Sequence, residues 1–245
     1  MQRDVRLGNL FNVRDLGGYR TSDGRSVHWE RVYRAASLHQ LDPTHARDWE
    51  RLALRTVIDL RRDRERIPGE WPEILSSAVV RELPMIPDDW MLDRSQFPNP
   101  TAHLSAAYDA MLRLGRPAIR ASFELFADPK AYPLLFFCVA GKDRTGLLAA
   151  LLLSSLGVDD GQVLDDYELS GERVVALLEY LRAEGKLQAN NPMINQPLEA
   201  LRAPRSALVG AMARMREKHG SVHGYLASCG VTAEHLAEVR SNLLD

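Results

Sequence analysis

Residues 134–156 read LLFFCVAGKDRTGLLAALLLSSL, and no other stretch restricts the fold as much. The run LLFFC has the length and composition of a strand buried on both faces, while the apolar run 147–153 belongs to a buried helix. The segment FCVAGKDRTG at 137–146 is then a loop that leaves the carboxyl end of a strand and enters the N-terminus of a helix. Amides of a first helical turn have no partner within the helix, and the helix dipole is positive at that end, so a loop placed there cradles anions.

The side chains of the loop point to an anion that reacts. Cysteine attacks as its thiolate, and a thiol at a helix N-terminus beside a guanidinium has its pKa lowered by several units from about 8.5. Cys138 holds that position. Arg144, six residues on, carries a planar fork of donors suited to two oxygens of one phosphate. A cysteine and an arginine at this spacing occur by chance, so the specificity lies in what fills the loop. Gly141 and Gly146 let backbone approach a ligand closely. The backbone of Val139, Ala140, Gly141, Lys142, Thr145 and Gly146 is the expected phosphate cradle, with the Thr145 hydroxyl placed to donate to the thiolate or to the phosphocysteine leaving group.

Around this unit the 245 residues are enough for one domain. Strands are expected at 32–33, 56–60 and 79–83, and a glycine-bearing loop and short hairpin at 12–24. Helices are expected at 43–54, started by Asp42, and at 102–114, 119–126, 147–156, 162–169, 172–182, 198–218 and 233–244. The formal net charge of −2 gives no broad basic surface for nucleic acid or an anionic membrane. No stretch reaches the roughly 20 apolar residues that span a bilayer, and the N-terminus lacks the apolar core of a secretory signal. Cys138 and Cys229 lie far apart, without the spacing of a disulfide framework or a zinc site, which fits a reducing, cytoplasmic setting. Secretion without a cleaved signal stays compatible with the sequence. Neither a cofactor nor a metal is called for.

Five further segments accompany the loop: NVRDLGGY at 12–19, YRAASL at 33–38, DLR at 59–61, DDYELS at 165–170 and GSVHGYL at 220–226. Together with CVAGKDRTG they resemble, in the same order, the bacterial atypical tyrosine phosphatases, whose members include dual- and triple-specificity enzymes acting on phosphoproteins and phosphoinositides. The resemblance covers most of the chain. It implies a single α/β domain with a mainly parallel central sheet flanked by helices, a phosphate loop at the sheet's carboxyl edge, a helical lid, and no metal; the helical pattern at about 172–218 fits that lid insertion or an ordinary helical subdomain. The run Asp143 to Thr145 is also similar to the loops of myotubularin-type phosphoinositide phosphatases, with Lys142 as a cation facing the substrate entrance. One departure stands out: most relatives carry histidine before the cysteine where this chain carries Phe137, which removes a hydrogen-bond donor behind the loop and leaves mainly apolar contacts to hold it.

A phosphatase needs a proton for its leaving group, and a carboxyl with a raised pKa supplies one. Asp143, next to the reacting phosphate, is the first candidate, with helix capping as its competing role. Asp59, at a strand end, is the second, with a buttressing hydrogen bond as its alternative. Arg14 and Asp15 either brace the loop or shape a turn. Trp71, Pro72 and Glu73 superficially match an acid-bearing Trp-Pro-Asp loop, but their position relative to Cys138 is unconstrained. The charge run 61–66 reads as solvated surface, with Arg61 open to a place near the site. His219 and His223 are four apart, yet Gly220 lies between them and a third ligand is lacking. Cys229 reads as structural. The substrate is expected to be a phosphorylated protein or a phosphoinositide, and the sequence leaves oligomeric state open. The rivals are a catalytically silent phosphate-binding module, which would bind phospho-ligands without turnover, and a sulfurtransferase, whose loop does not need GKDRTG.

Overall fold

A computed structural model describes residues 3–38, 43–66, 77–186 and 197–245 of the chain. Five strands form one sheet: β1 (Arg14–Asp15), β2 (Val32–Ala35), β3 (Thr56–Asp59), β4 (Val79–Glu82) and β5 (Leu134–Phe137). Their order is β1-β2-β5-β3-β4, with only the β1–β2 pairing antiparallel, so the sheet is mainly parallel as expected. β5 is the middle strand, paired with β2 on one side and β3 on the other, and all three are buried along their length.

Side chains alternate across these strands. Val32, Ile58, Leu134 and Phe136 join the larger core, and Tyr33, Ala35, Val57, Leu135 and Phe137 join a smaller one on the other face. Cys138 continues the alternation into the larger core, so Phe137 and the nucleophile candidate face opposite ways.

Helix α1 (Ala46–Glu50) sends Trp49 into the smaller core. It follows a 3-10 turn at Pro43–His45 and ends early, where Ala53 takes a left-handed φ of 46°, so the helix expected over 43–54 is reduced to its middle. On the other face lie α2 (Pro100–Leu114), α3 (Arg116–Ala127), α4 (Asp143–Leu156) and α5 (Asp160–Glu168). Then come α6 (Ser170–Ala183), α7 (Leu198–Leu201), α8 (Arg205–His219), α9 (Val222–Ser228) and α10 (Ala233–Leu243). The single helix expected over 198–218 is two helices: Pro204 has no N–H to continue the first and disfavours helical backbone at Ala203, which takes φ 54°.

Of the segment 172–218 expected to be a lid, α6 and α7 pack on the loop through Val174, Leu177, Leu178, Leu181 and Leu201 against Ala36 and Ala140. Helix α8 instead buries Ala207, Leu208, Ala211, Met212 and Met215 in the larger core. Asp42, Trp71, Pro72, Glu73 and all of the polar loop 188–197 except Pro197 lie outside the described residues. Among the described residues no helix is long and apolar enough to cross a membrane.

Candidate active site

Between β5 and α4 the chain turns carbonyls outward, and those of Phe137, Val139, Ala140, Gly141 and Lys142 have partners. Phe137 O accepts from Leu60 N at 2.9 Å and Val139 O from Ser37 N at 3.1 Å. Ala140 O accepts from Asn12 Nδ2 at 3.0 Å, and Gly141 O from both Asn12 Nδ2 at 2.9 Å and Arg34 Nη2 at 2.6 Å. Lys142 O accepts from Gly146 N, at 2.7 Å. A peptide whose carbonyl points out points its N–H in. Among the described residues the amides of 139–142 donate to no protein acceptor, and those of Asp143, Arg144 and Thr145 are the unpartnered first turn of α4. Gly141 makes the curl possible: its φ is 64°, and a Cβ there would stand 2.4 Å from Ala35 O.

The donors behind the loop belong to a buried ionic cluster. Asp166 of α5 binds Arg14 Nε at 2.9 Å and Arg34 Nη1 at 2.5 Å. Arg14 also donates to Asp166 O at 2.8 Å, Ser170 Oγ at 3.0 Å and the side-chain oxygen of Asn12. Burial disfavours the charge of Asp166, but the two guanidiniums overcome it and hold its carboxyl below the usual range. Burial, aided by Arg14 alongside, brings Arg34 down to about 10. Asp166 thus fixes Arg14 and Arg34, and these and Asn12 fix the loop. Arg14 takes the bracing role. Asp15 shapes the turn, accepting from Gly17 N at 2.7 Å and Glu30 N at 2.6 Å. Four of the five accompanying sequence segments therefore converge behind the loop between β5 and α4. The fifth, at 220–226, packs in the core, where Tyr225 donates to Leu112 O at 2.6 Å.

This arrangement corrects the expectation drawn from Phe137. The ring of Phe137 is fully buried, with the Arg61 guanidinium 5.1 Å from its centroid, and the hydrogen bonds that hold the loop come from Asn12 and Arg34. The loop is not held mainly by apolar contacts.

Cys138 is 2% exposed and Arg144 7%. Arg144 donates to Glu65 through Nη1 at 2.5 Å and Nη2 at 3.1 Å, a forked pair that sets the plane of the guanidinium. Burial works against the charge of Arg144, but its electrostatic interactions with Cys138 and Glu65 outweigh it and hold the group above its usual value. Burial would likewise raise Glu65, yet Arg144 and the Arg62 backbone bring it down to about 2. Asp59, fully buried, accepts from Arg61 N at 2.9 Å, Arg61 Nε at 3.0 Å, Arg61 Nη2 at 2.8 Å and Arg66 Nε at 3.3 Å. Arg61 also reaches Ser37 Oγ at 3.0 Å. Asp59 and Arg61 therefore stand as a buttress behind the loop, with both carboxylate oxygens engaged by arginine.

Asp143 begins α4 and its side chain is 21% exposed. Its Oδ1 accepts from Tyr108 OH at 2.6 Å and lies 3.3 Å from Lys142 Nζ. Lys142 is not an open cation at the entrance: it is 1% exposed, and its ammonium donates to the Ala200 carbonyl of α7. The Thr145 hydroxyl is buried and has no protein partner among the described residues, which leaves it free to donate to a sulfur or phosphate oxygen. His223 meets Ser155 O at 3.2 Å and the His219 ring packs on Tyr225, both away from the loop.

The model of the tyrosine phosphatase family matches residues 5–245. The chain belongs to that family. A Cupriavidus necator protein whose name assigns it provisionally to the tyrosine-protein phosphatases is 30% identical, over 92% of this chain and 83% of its own length. Triple specificity protein phosphatase PtpB of Mycobacterium tuberculosis is 25% identical over 97% of this chain and 98% of its own. The solved catalytic core of Siw14, at TM-score 0.35 and 16% identity over 64% of this chain and 88% of that one, is too slight a likeness to inform the argument. The protein is accordingly a phosphatase hydrolase, and its substrate is phosphorylated.

Three groups of this phosphatase's site escape a reading of sequence. Glu65 sits in a run of alternating charge that reads as surface, and only the presence of a buried arginine needing a counter-charge marks it. Asn12 announces itself only through its φ of 59°, a backbone region that Asn tolerates better than most residues. Tyr108 is one apolar-face residue among many in α2.

Proposed function

We propose that the phosphatase hydrolyses phosphomonoesters of proteins in two steps through a phosphocysteine. The observation that carries this is the set of partnered carbonyls at 137 and 139–142, which leaves the amides of 139–145 without protein acceptors among the described residues, in the loop that holds Cys138 and Arg144. Cys138 Sγ attacks phosphorus, the bond to the leaving oxygen breaks, and Asp143 gives that oxygen its proton. Water then attacks phosphorus and returns its proton to Asp143, the S–P bond breaks, and thiolate and inorganic phosphate remain. Loop amides and Arg144 stabilise the equatorial oxygens in both steps. Asp143 is preferred to Asp59 because Asp59 has its oxygens committed to Arg61 and Arg66, while Asp143 is partly exposed.

Both phosphotyrosine and phosphoserine peptides are the proposed substrates, in keeping with the name of the mycobacterial relative. Phosphoinositides are a second class, in keeping with the resemblance of the loop to those of phosphoinositide phosphatases rather than with Lys142, whose ammonium is held by Ala200 O and Asp143. The test is phosphate release from phosphotyrosine peptide, phosphoserine peptide, dispersed phosphoinositide and a small sugar phosphate, in the presence of a chelator. Turnover of both peptides, inhibition by vanadate, and no turnover in Cys138→Ser despite retained vanadate binding are expected. Phosphate release by Cys138→Ser at the wild-type rate, or activity that disappears with chelator and returns with added metal, rules the reading out.

A further inference from the structure

We infer that Tyr108 is a positioning residue for the acid, its hydroxyl engaging one oxygen of the Asp143 carboxyl so that the transferable proton sits on the other. The inference rests on the reading of Asp143 as general acid. Tyr108 belongs to α2, outside the phosphate loop and outside every segment that resembles the family's, and it is fully buried. Its hydroxyl donates to Asp143 Oδ1 at 2.6 Å and is also 2.6 Å from the Tyr167 hydroxyl. Tyr108 has one proton, and Asp143 receives it, so Tyr167 is the donor to Tyr108. The result is a directional chain, Tyr167 to Tyr108 to Asp143, running from α5 through α2 to the start of α4.

The groups that face Asp143 are few. Lys142 approaches the same Oδ1 at 3.3 Å, Arg144 follows on α4, and the two tyrosines come from α2 and α5. Among the described residues Asp143 Oδ2 has no hydrogen-bond partner, while Oδ1 faces a hydroxyl and an ammonium. A proton on Oδ1 would meet both donors head-on, and a proton on Oδ2 meets neither. Burial first, and then the charge of Asp143, push both tyrosines well above their usual value, so they stay neutral and donate rather than shuttle. Their rings hold the chain still: they pack edge-on with centroids 6.2 Å apart, and Tyr167 lies so close to Gly146 that a Cβ there would stand 3.0 Å from its Cδ2.

A donor to a carboxylate favours the ionised form, so removing it raises the carboxyl's pKa. The acid works protonated, and the basic limb of the pH–rate profile reports its loss of that proton. Tyr108→Phe, Tyr167→Phe and Asp143→Asn, with the double substitution of 108 and 143, are to be compared on a phosphoserine peptide and on 4-nitrophenyl phosphate, with melting temperatures alongside. Tyr108→Phe is expected to lower kcat on phosphoserine peptide by roughly tenfold to a hundredfold, the effect of losing a hydrogen bond to a charged group. KM and the rate on 4-nitrophenyl phosphate, whose leaving group needs little protonation, stay within about threefold. The basic limb moves to higher pH, and in the Asp143→Asn background the substitution changes nothing further. Tyr167→Phe moves the limb the same way by less, and it carries the test if Tyr108→Phe does not fold. Equal losses on both substrates, an unmoved limb, or a full extra loss in the Asp143→Asn background overturns the role of Tyr108. If Asp143→Asn itself slows both substrates equally, the acid assignment falls first, and the positioning role with it.

Discussion

Glu65→Gln is the substitution whose consequence is best worked from the geometry. Glu65 and Arg144 form two hydrogen bonds, at 2.5 and 3.1 Å, with both side chains 8% exposed. Against its burial, Arg144 and then Arg62 bring the carboxyl of Glu65 from 4.5 down to about 2, and at about 1.4 kcal/mol per pH unit this net effect is on the order of 3 kcal/mol, most of it from Arg144. The sign follows from the direction. A carboxyl depressed in the folded state stabilises it fully above its unfolded pKa and loses that contribution as pH falls through the folded value. Glutamine keeps the shape and loses the charge, so Arg144 remains buried with one counter-charge fewer. Urea unfolding at neutral pH should show Glu65→Gln less stable by about 3 kcal/mol, and the gap to wild type should close as pH falls from about 4.5 toward 2. Without the fork, Arg144 no longer presents its plane to the phosphate, and kcat/KM should drop about tenfold or more. Added phosphate or vanadate should restore part of the lost melting temperature by supplying the missing anion. A variant within about 0.5 kcal/mol of wild type at all pH values, with unchanged kcat/KM, would refute the role given to Glu65.

Asn12 and Phe137 test which side chains hold the phosphate loop. Asn12→Ala leaves the Ala140 carbonyl without a donor and Gly141 O with Arg34 alone, and it should cost roughly 1–3 kcal/mol of stability and raise the pH midpoint of Cys138 alkylation by iodoacetate. Phe137→His should cost a similar amount through burial of a polar ring while leaving that midpoint in place; a lowered midpoint would show that the loop does depend on the missing histidine.

The strand–loop–helix unit was legible because both flanks are apolar runs with different lengths, and because the residues between them have one joint use. The mainly parallel sheet, the α2 to α6 helices and the converging segments at 12–19, 33–38, 59–61 and 165–170 follow from patterns that act locally or resemble a known family. What sequence could not supply were pairings across the chain. Glu65 meets Arg144 across 79 positions and Asn12 reaches Gly141 across 129, and neither partner changes the local pattern of the other. Lys142 reads as an exposed cation because its cover, α7, is separated from it in sequence and is too short to read as an element of its own. The break at Ala203 and Pro204 was visible in the residue types, but the strong helical pattern on both sides masked it.

The most direct test of the central claim is to look for the phosphocysteine itself. Wild-type protein turning over an aryl phosphate is quenched in acid within the first turnovers and digested, and the peptide containing Cys138 is measured by mass. One phosphoryl group on Cys138, appearing and decaying at rates that match steady-state turnover and absent from Cys138→Ser, is the predicted result. Turnover with Cys138 unmodified throughout, or a phosphoryl group held on another residue, would contradict it.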